Sequence, residues 1–366
     1  MIRLLKLVQG CGADQLGSAL LSVLVAGIPG WNMDEERLGD DVAPPVLPPD
    51  FVTDLAQGHD SLKLGLALGS GAARGWAHIG VLQALLEAGV VPNIIAGCSV
   101  GAVVGGCHAA GKLDEVEAFA RSLTKRRILG LLDFQLAGAG LIGGERLRLL
   151  LERDLGPLTI GELKLRFAAV STEIATGHEV WLTQGSLVDA IRASYALPGI
   201  FEPIVSGGRV LMDGALVNPI PVTLARALGA DVVICVNLNG DPRSRGTVIP
   251  AHGCDRTSQS PVPMATSWWS RLQTRRRMSE ALHARPAIRV RRPASILTDA
   301  FNIAQDRIAR SRLAGDPPDL MISPRLAEIG LFEFHRAAET ISLGRAATEK
   351  LLPEIQEVLA VHAASC

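Results

Sequence analysis

The sequence predicts an α/β fold built on parallel strands, and three observations carry that expectation. Short apolar runs such as "LKLGLAL" (62–68) and "NIIAG" (93–97) read as strands buried on both faces. Each is followed by a helical stretch, and strand, helix, strand, helix is the order a parallel sheet requires. With 366 residues, 48% of them hydrophobic, the chain can also bury a large core.

The elements follow in chain order. Residues 16–28 form an apolar run after Arg3 and Lys6. The run falls short of the roughly 20 residues a membrane span needs. It also lacks a small-x-small cleavage site before Pro29-Gly30, so an extension or extra helix is favoured over a targeting signal or anchor. Residues 34–60 turn acidic and then proline-rich ("DVAPPVLPPD"), which makes 1–61 an N-terminal extension and linker. Order is expected from Leu62, through the first strand, a glycine-rich turn "GSGAARG" (69–75) and a helix from Trp76 to Ala88 closed by Gly89. The second strand leads into "CSVGAVVGGCHAAG" (98–111), a helix of small residues. Further strands are expected at Phe167–Glu173, Glu179–Thr183, Arg209–Met212 and Asp231–Asn237. Between the last two, "NPIPVTLARALGA" (218–230) reads as a helix whose prolines suit its first turn. From 241 to 292 Pro, Ser, Arg and Thr dominate, as in a flexible insertion. The part from 293 to 366 is mainly helical, with a helix near Ile296–Leu313, a strand at Leu320–Ser323 and a last helix from about His335 to His362.

Composition removes some function classes. A net charge of −1 supplies no electrostatic footprint for nucleic acid. Six cysteines are scattered with no CxxC pair, which favours reduced thiols and a cytoplasmic setting over a disulfide framework. No His, Cys, Asp or Glu cluster has metal-ligand spacing, and no cofactor is implied.

Chemistry concentrates in three stretches. "GCSVG" (97–101) fits G-x-S-x-G and sits between a short strand and a helix, the setting of a nucleophile elbow. There Ser99 would occupy a strained turn with its hydroxyl exposed. Gly97 and Gly101 would let neighbouring backbone pass, and the helix N-terminus would favour developing negative charge. The competing reading is a tight turn with a serine chosen for packing. The loop "GSGAARG" ends the preceding strand, so one crossover brings it to the same sheet edge as Ser99. A dinucleotide fingerprint starting at Gly69 needs a third glycine where Arg74 stands, and no Gly-Lys-Ser/Thr follows for a phosphate loop. The loop is better read as a cradle of backbone N–H groups for an oxyanion. For the base, Asp213 is the strongest candidate, because it ends an apolar strand and is followed at once by Gly214. A turn aspartate is the alternative there. His78 and His108 lie on helices and His335 near the last helix, away from the strand-end loops where a triad histidine belongs.

Together the loop with Arg74, the Ser99 elbow and Asp213-Gly214 resemble the patatin-like phospholipase family, in its bacterial branch related to neuropathy target esterase. The phrases "RGWAHIGVLQALLEAG", "ASYALPGIFEP" (193–203), "MDGALVNPIPV" (212–222) and "IGLFEFHRAAETI" (329–341) are also family-like. The resemblance spans about 62–240, the expected catalytic domain. It implies a three-layer α/β/α fold with a mostly parallel central sheet, and a serine lipid acyl hydrolase working through a Ser–Asp dyad and an acyl-enzyme. By the same resemblance Ser99 attacks the ester, Asp213 accepts its proton, and Gly71, Ala72, Ala73 and Arg74 form the oxyanion hole, with Gly69, Gly75, Gly97, Gly101 and Gly214 supporting the turns. One departure is that the family's loop is typically D-G-G-G-x-R-G, where this chain has G-S-G-A-A-R-G.

The implied partner is a phospholipid or lysophospholipid, met in the cytoplasm or peripherally at the inner face of a membrane. "LTKRRILGLLDFQL" (123–136) suits a lid or interfacial helix, with an ordinary solvated helix as the alternative. "SWWSRLQTRRR" (267–277) sets two tryptophans beside four arginines, as an anionic surface would attract, or is simply linker. Two other functions compete. One is an α/β-hydrolase-type thioesterase with a Ser–Asp–His triad using His335. The other is a regulatory or binding protein that keeps the fold with little turnover.

Overall fold

In the computed structural model the described residues are 62–131, 133, 140–142, 144–240 and 293–364. The expected extension (1–61), the expected insertion (241–292) and part of 123–136 lie outside them.

The strands are β1 (Leu64–Leu68), β2 (Ile94–Cys98), β3 (Gly140–Ile142), β4 (Arg166–Glu173), β5 (Glu179–Leu182), β6 (Gly199–Phe201), β7 (Ile204–Ser206), β8 (Arg209–Asp213), β9 (Val232–Val236) and β10 (Leu320–Ile322). The helices are α1 (Ala77–Glu87), α2 (Val100–Ala109), α3 (Leu113–Arg121), α4 (Lys125–Leu131), α5 (Glu145–Leu155), α6 (Leu187–Tyr195), α7 (Val222–Ala227), α8 (Pro293–Gly315) and α9 (Ala337–Ala363). The main sheet runs β10-β9-β1-β2-β4-β8-β7, with β5 also paired to β4. The five strands from β10 to β4 are parallel, β5 and β8 each run antiparallel to β4, and β7 pairs antiparallel with β8. A separate pair, β3 and β6, is parallel.

Strand alternation sorts side chains onto two faces. Leu64, Leu66, Leu68, Ile95, Phe167, Val232, Ile234 and Val236 point into the larger core, shared with α1, α2, α3, α5, α6 and α9. The intervening residues Ala67, Ala96, Ala168, Val170, Val233 and Cys235 face a thinner core under α7 and α8. Small residues on that face let α7 and the turn after it come close: a Cβ on Gly65 would stand 3.4 Å from the Cβ of Ala225 and 2.6 Å from that of Ala230. Helices thus cover both faces of a mostly parallel sheet, the expected three-layer arrangement.

The sequence reading locates the observed strands of the parallel core to within a residue or two. Not anticipated are α3, α5 and α6, short helices of nine to eleven residues, and β3, β6 and β7, whose three residues each are too few to show an alternation. The loop read as a turn contains a 3₁₀ segment, Ala72–Trp76, so the α-helix proper begins at Ala77. None of the described helices is long and apolar enough to cross a membrane.

The longest helix, α9, packs along α1 through facing glycines. A Cβ on Gly80 would overlap the Ile341 carbonyl, and one on Gly344 would overlap the Ala77 carbonyl. Because the obstacles are backbone atoms, side-chain rotation cannot relieve them. Gly80→Ala is expected to lower unfolding free energy by about 2 kcal/mol or more, at the upper end of overpacking effects. Ala84→Gly on the same helix opens space instead, and should cost less than ~2 kcal/mol, the sum of helix propensity and one lost buried methyl. Urea titration of both variants tests the difference.

Candidate functional site

Strands β1, β2 and β4 end at one edge of the sheet. Cys98 pairs with Val170, and Leu68 with Gly97, so the residues that follow emerge side by side. Ser99 leaves β2 and at once starts α2, with φ 55° and ψ −122°. Asp213 reaches the same edge from the opposite direction, because β8 is antiparallel to β4 and sets Asp213 opposite Ser171.

The Ser99 hydroxyl donates to Asp213 Oδ2 at 2.7 Å, and both residues are buried. The second carboxylate oxygen, Oδ1, accepts from the Ala215 amide at 2.8 Å. Burial dominates the acidity of Asp213: desolvation raises its pKa from 3.8 to about 6, against the lowering by the Ala215 and Ser99 hydrogen bonds. The backbone around it is tied down, with the Asp213 N–H donating to Ala196 O at 2.9 Å and Thr172 Oγ1 donating to Asp213 O at 2.9 Å. The Ser99 N–H donates to Ser194 Oγ at 2.9 Å, and that hydroxyl in turn donates to Val170 O at 2.6 Å. Ser194 lies in "ASYALPGIFEP", but no periodicity or turn signal distinguished it from its neighbours.

Among the described residues, Ser99 and Ala72 (φ 48°) are the non-glycine positions with left-handed φ. Such conformations cost on the order of 1–3 kcal/mol and gather where the surrounding structure over-determines them. Here they fall in the elbow and in the glycine-rich loop. The two are locked together by close approach: a Cβ on Gly101 would overlap the Leu68 carbonyl, and one on Gly75 would overlap the side chain of Val100. Gly97 faces the Ala102 backbone, Gly214 the Val170 carbonyl and Gly69 the Val236 carbonyl.

The loop's amides are not equivalent. Ala73 N–H donates to Leu331 O at 2.9 Å, and Arg74 N–H donates to Gly71 O at 3.1 Å. The amides of Gly71 and Ala72 donate to no acceptor among the described residues. Of the four residues expected to form an oxyanion hole, Ala73 and Arg74 thus have their amides taken up in bracing the loop. The Arg74 side chain braces too, with Nε donating to Ile329 O at 2.9 Å and Nη1 to Asn239 Oδ1 at 3.2 Å. Carbonyls carry no residue identity, so the part played by Ile329 and Leu331 was invisible in sequence.

The histidines stand apart from this pair. His78 is fully buried, and its Nε2 donates to Gly69 O at 2.7 Å. Desolvation, only partly offset by that bond, lowers its pKa to about 4, so the ring is neutral. His108 lies near the end of α2 and His335 in the 3₁₀ turn Phe334–Arg336. Neither makes a hydrogen bond to Ser99 or Asp213, and both Asp213 oxygens are occupied by Ser99 and Ala215. A triad would need an imidazole between serine and carboxylate. Among the described residues no group of three or more His, Cys, Asp or Glu side chains could hold a metal ion.

A family model described as patatin-like phospholipase matches residues 66–226. An uncharacterized NTE family protein of Mycobacterium tuberculosis is 37% identical over 334 residues, covering 81% of this chain and 93% of that protein. The lysophospholipase nte1 of Emericella nidulans is 31% identical over 180 residues, covering 48% of this chain and 12% of its own. A crystal structure of VipD from Legionella pneumophila aligns with a TM-score of 0.46 at 16% identity, covering 81% of this chain and 67% of that one. The chain belongs to the patatin-like phospholipase family, with its relatives in the NTE branch. That membership supports a lipid hydrolase.

The buried carboxylate predicts a trade between activity and stability. A carboxyl whose folded pKa is raised favours the native state fully below its unfolded pKa, and that contribution is lost as pH rises through the folded value. With 3.8 raised to about 6, keeping Asp213 ionised at pH 8 costs about 3 kcal/mol at 1.36 kcal/mol per pH unit. An amide there can accept from Ala215 and donate to the Ser99 oxygen. Asp213→Asn is therefore expected to stabilise the protein by about 1–3 kcal/mol at pH 8, a gain that shrinks as pH falls from 6 to 4. Thermal melts of both proteins across that range check it.

Proposed function

We propose that this protein is a serine lipid acyl hydrolase acting on phospholipid or lysophospholipid esters through a Ser99–Asp213 dyad. The observation that carries the reading is the direct 2.7 Å hydrogen bond from Ser99 Oγ to Asp213 Oδ2, with no histidine between them. Family membership supports the lipid substrate class.

In this mechanism Asp213 takes the Ser99 proton as Oγ bonds to the ester carbonyl carbon. The carbonyl oxygen becomes an oxyanion, facing the Gly71 and Ala72 amides and the N-terminus of α2. Collapse breaks the ester C–O bond, protonated Asp213 gives its proton to the leaving alkoxide, and an acyl-Ser99 ester remains. Water then loses a proton to Asp213 as it attacks that ester. Return of the proton to Ser99 Oγ releases the fatty acid. A base with a pKa near 6 is largely ionised at neutral pH, yet far more basic than an exposed aspartate.

Ser99→Ala is expected to abolish turnover of a short-chain p-nitrophenyl ester and labelling by a fluorophosphonate, with a change in thermal stability within ~1 kcal/mol. Asp213→Asn should be nearly as inactive, whereas His78→Ala and His335→Ala should keep measurable turnover when folded. A histidine variant as dead as Ser99→Ala would overturn the dyad. A folded wild type that neither labels nor turns over ester would favour the binding-protein reading instead.

The pH profile supplies a further test. Because Asp213 must be ionised, kcat/KM should fall on acidification with an apparent pKa of about 6. In the loop, Gly71→Pro removes an amide and should lower kcat by at least about 10²-fold. Ala72→Gly keeps the amide, relaxes a left-handed φ and should remain active.

A further inference from the structure

The edge that carries Ser99 also carries exposed apolar side chains on both of its sides. On one side, Trp76 follows the glycine-rich loop and packs edge-on against Phe119 at 6.4 Å and Phe334 at 6.2 Å. Arg127 of α4 covers the Phe119 ring of that cluster, 5.8 Å from its centroid. The turn Phe334–Arg336 packs against both α4 and the 3₁₀ segment Ala72–Trp76, which seats α4 beside the loop. It buries none of its residues fully. Leu129 is 62% exposed, and Lys125, Arg126 and Arg127 are exposed beside it. Neither Lys125 nor Arg126 is paired with a carboxylate among the described residues. Phe332, two residues before the Phe334 ring, is 49% exposed and adjoins the Leu331 carbonyl that holds Ala73.

On the other side stands the β7–β8 hairpin. Asp213 pairs with Ser171 and Leu211 with Glu173, so the start of β8 projects beyond the level at which β2 ends. Its tip presents Val205, 72% exposed, opposite Val210 on the neighbouring strand, with Ile174 alongside through its N–H to Val210 O. Arg209 is exposed at the same tip.

Single exposed apolar residues are ordinary, but two groups at one edge, one of them carrying Lys125 and Arg126 and the other Arg209 beside Glu173, form an interaction surface. We propose that this edge docks on an anionic phospholipid bilayer, through α4 and Phe332 on one side of Ser99 and the β7–β8 hairpin with Ile174 on the other. The charge selects the occupant. Apolar side chains enter the headgroup boundary while cations attract acidic lipid, a pairing worth most at a surface of negative potential. Docked in this way, the edge would receive an ester leaving the bilayer beside the oxyanion loop. The proposal rests on the lipid hydrolase reading for its purpose, though its test uses no turnover.

The test is sedimentation of the full chain carrying Ser99→Ala with vesicles. One set is phosphatidylcholine alone, and the other is one part phosphatidylglycerol to two of phosphatidylcholine. Binding to the anionic vesicles should exceed binding to the neutral ones by at least about tenfold and weaken as salt is raised. In that background Lys125→Glu with Arg126→Glu should weaken binding by at least about tenfold, from losing and reversing two surface charges. Val205→Asp should weaken it at any salt concentration. In the active background the same substitutions should leave turnover of a soluble p-nitrophenyl ester unchanged, which also reports that the variants fold. Equal binding to both vesicle types, no vesicle binding, or variants that bind like their parent would overturn the docking surface while leaving the esterase reading intact. Loss of soluble-ester activity in Ser99→Ala is a separate result, and if it failed, the dyad would fall without touching the docking data.

Discussion

The backbone of Ser99 is the constraint around which the rest of the site is arranged. A serine at φ 55° is unfavourable by itself, so its neighbours must hold it there. Ser194 accepts its N–H, Val170 orients the Ser194 hydroxyl, and Gly97 and Gly101 admit backbone where any Cβ would collide. The strain turns the side chain out of the β2–α2 corner and toward Asp213. Without those supports the corner would relax toward an ordinary strand–helix turn, and the 2.7 Å hydrogen bond to the carboxylate would be lost.

Sheet topology supplies the second half of the pair. Parallel strands alone would bring their C-terminal ends to this edge in single file. The reversal of β8 against β4 lets the buried end of that strand deliver a carboxylate from the other direction, directly opposite Ser171. Ser171 Oγ donates to Met212 O at 2.7 Å and Thr172 Oγ1 to Asp213 O, so polar side chains of β4 hold the backbone that holds the carboxylate. Removing Asp213 from water opposes its ionisation, whereas its two hydrogen bonds favour it. Desolvation is the larger effect, which leaves a more basic carboxylate at the expense of native-state stability.

The glycine-rich loop depends on distant parts of the chain. His78 reaches back to the Gly69 carbonyl, Leu331 takes the Ala73 amide, and Arg74 joins the 329 segment to Asn239. Ser70 lies 3.4 Å from Gln305 of α8 in the buried interior. The segment 293–364 therefore does more than extend the sheet by one strand, since its Gln305, Ile329 and Leu331 help to hold the loop's shape.

Much of this was legible in the sequence. The apolar runs of β1, β2 and β9 announce buried strands because a strand covered on both faces needs nearly every residue apolar. The elbow around Ser99 and the Asp213-Gly214 step are legible because glycine and a strand-end polar residue are the local solutions to tight backbone geometry. The same local logic excluded a dinucleotide loop, since Arg74 stands where a glycine must pack. Tertiary structure alone decided the rest. It paired Asp213 with Ser99 without an intervening imidazole, made His78 a neutral brace, and tied the Ala73 amide to the Leu331 carbonyl. Each of these depends on contacts between residues far apart in the chain, several of them to backbone carbonyls that every residue possesses. Local pattern reports what a segment can become, and only the folded chain determines which distant group satisfies it.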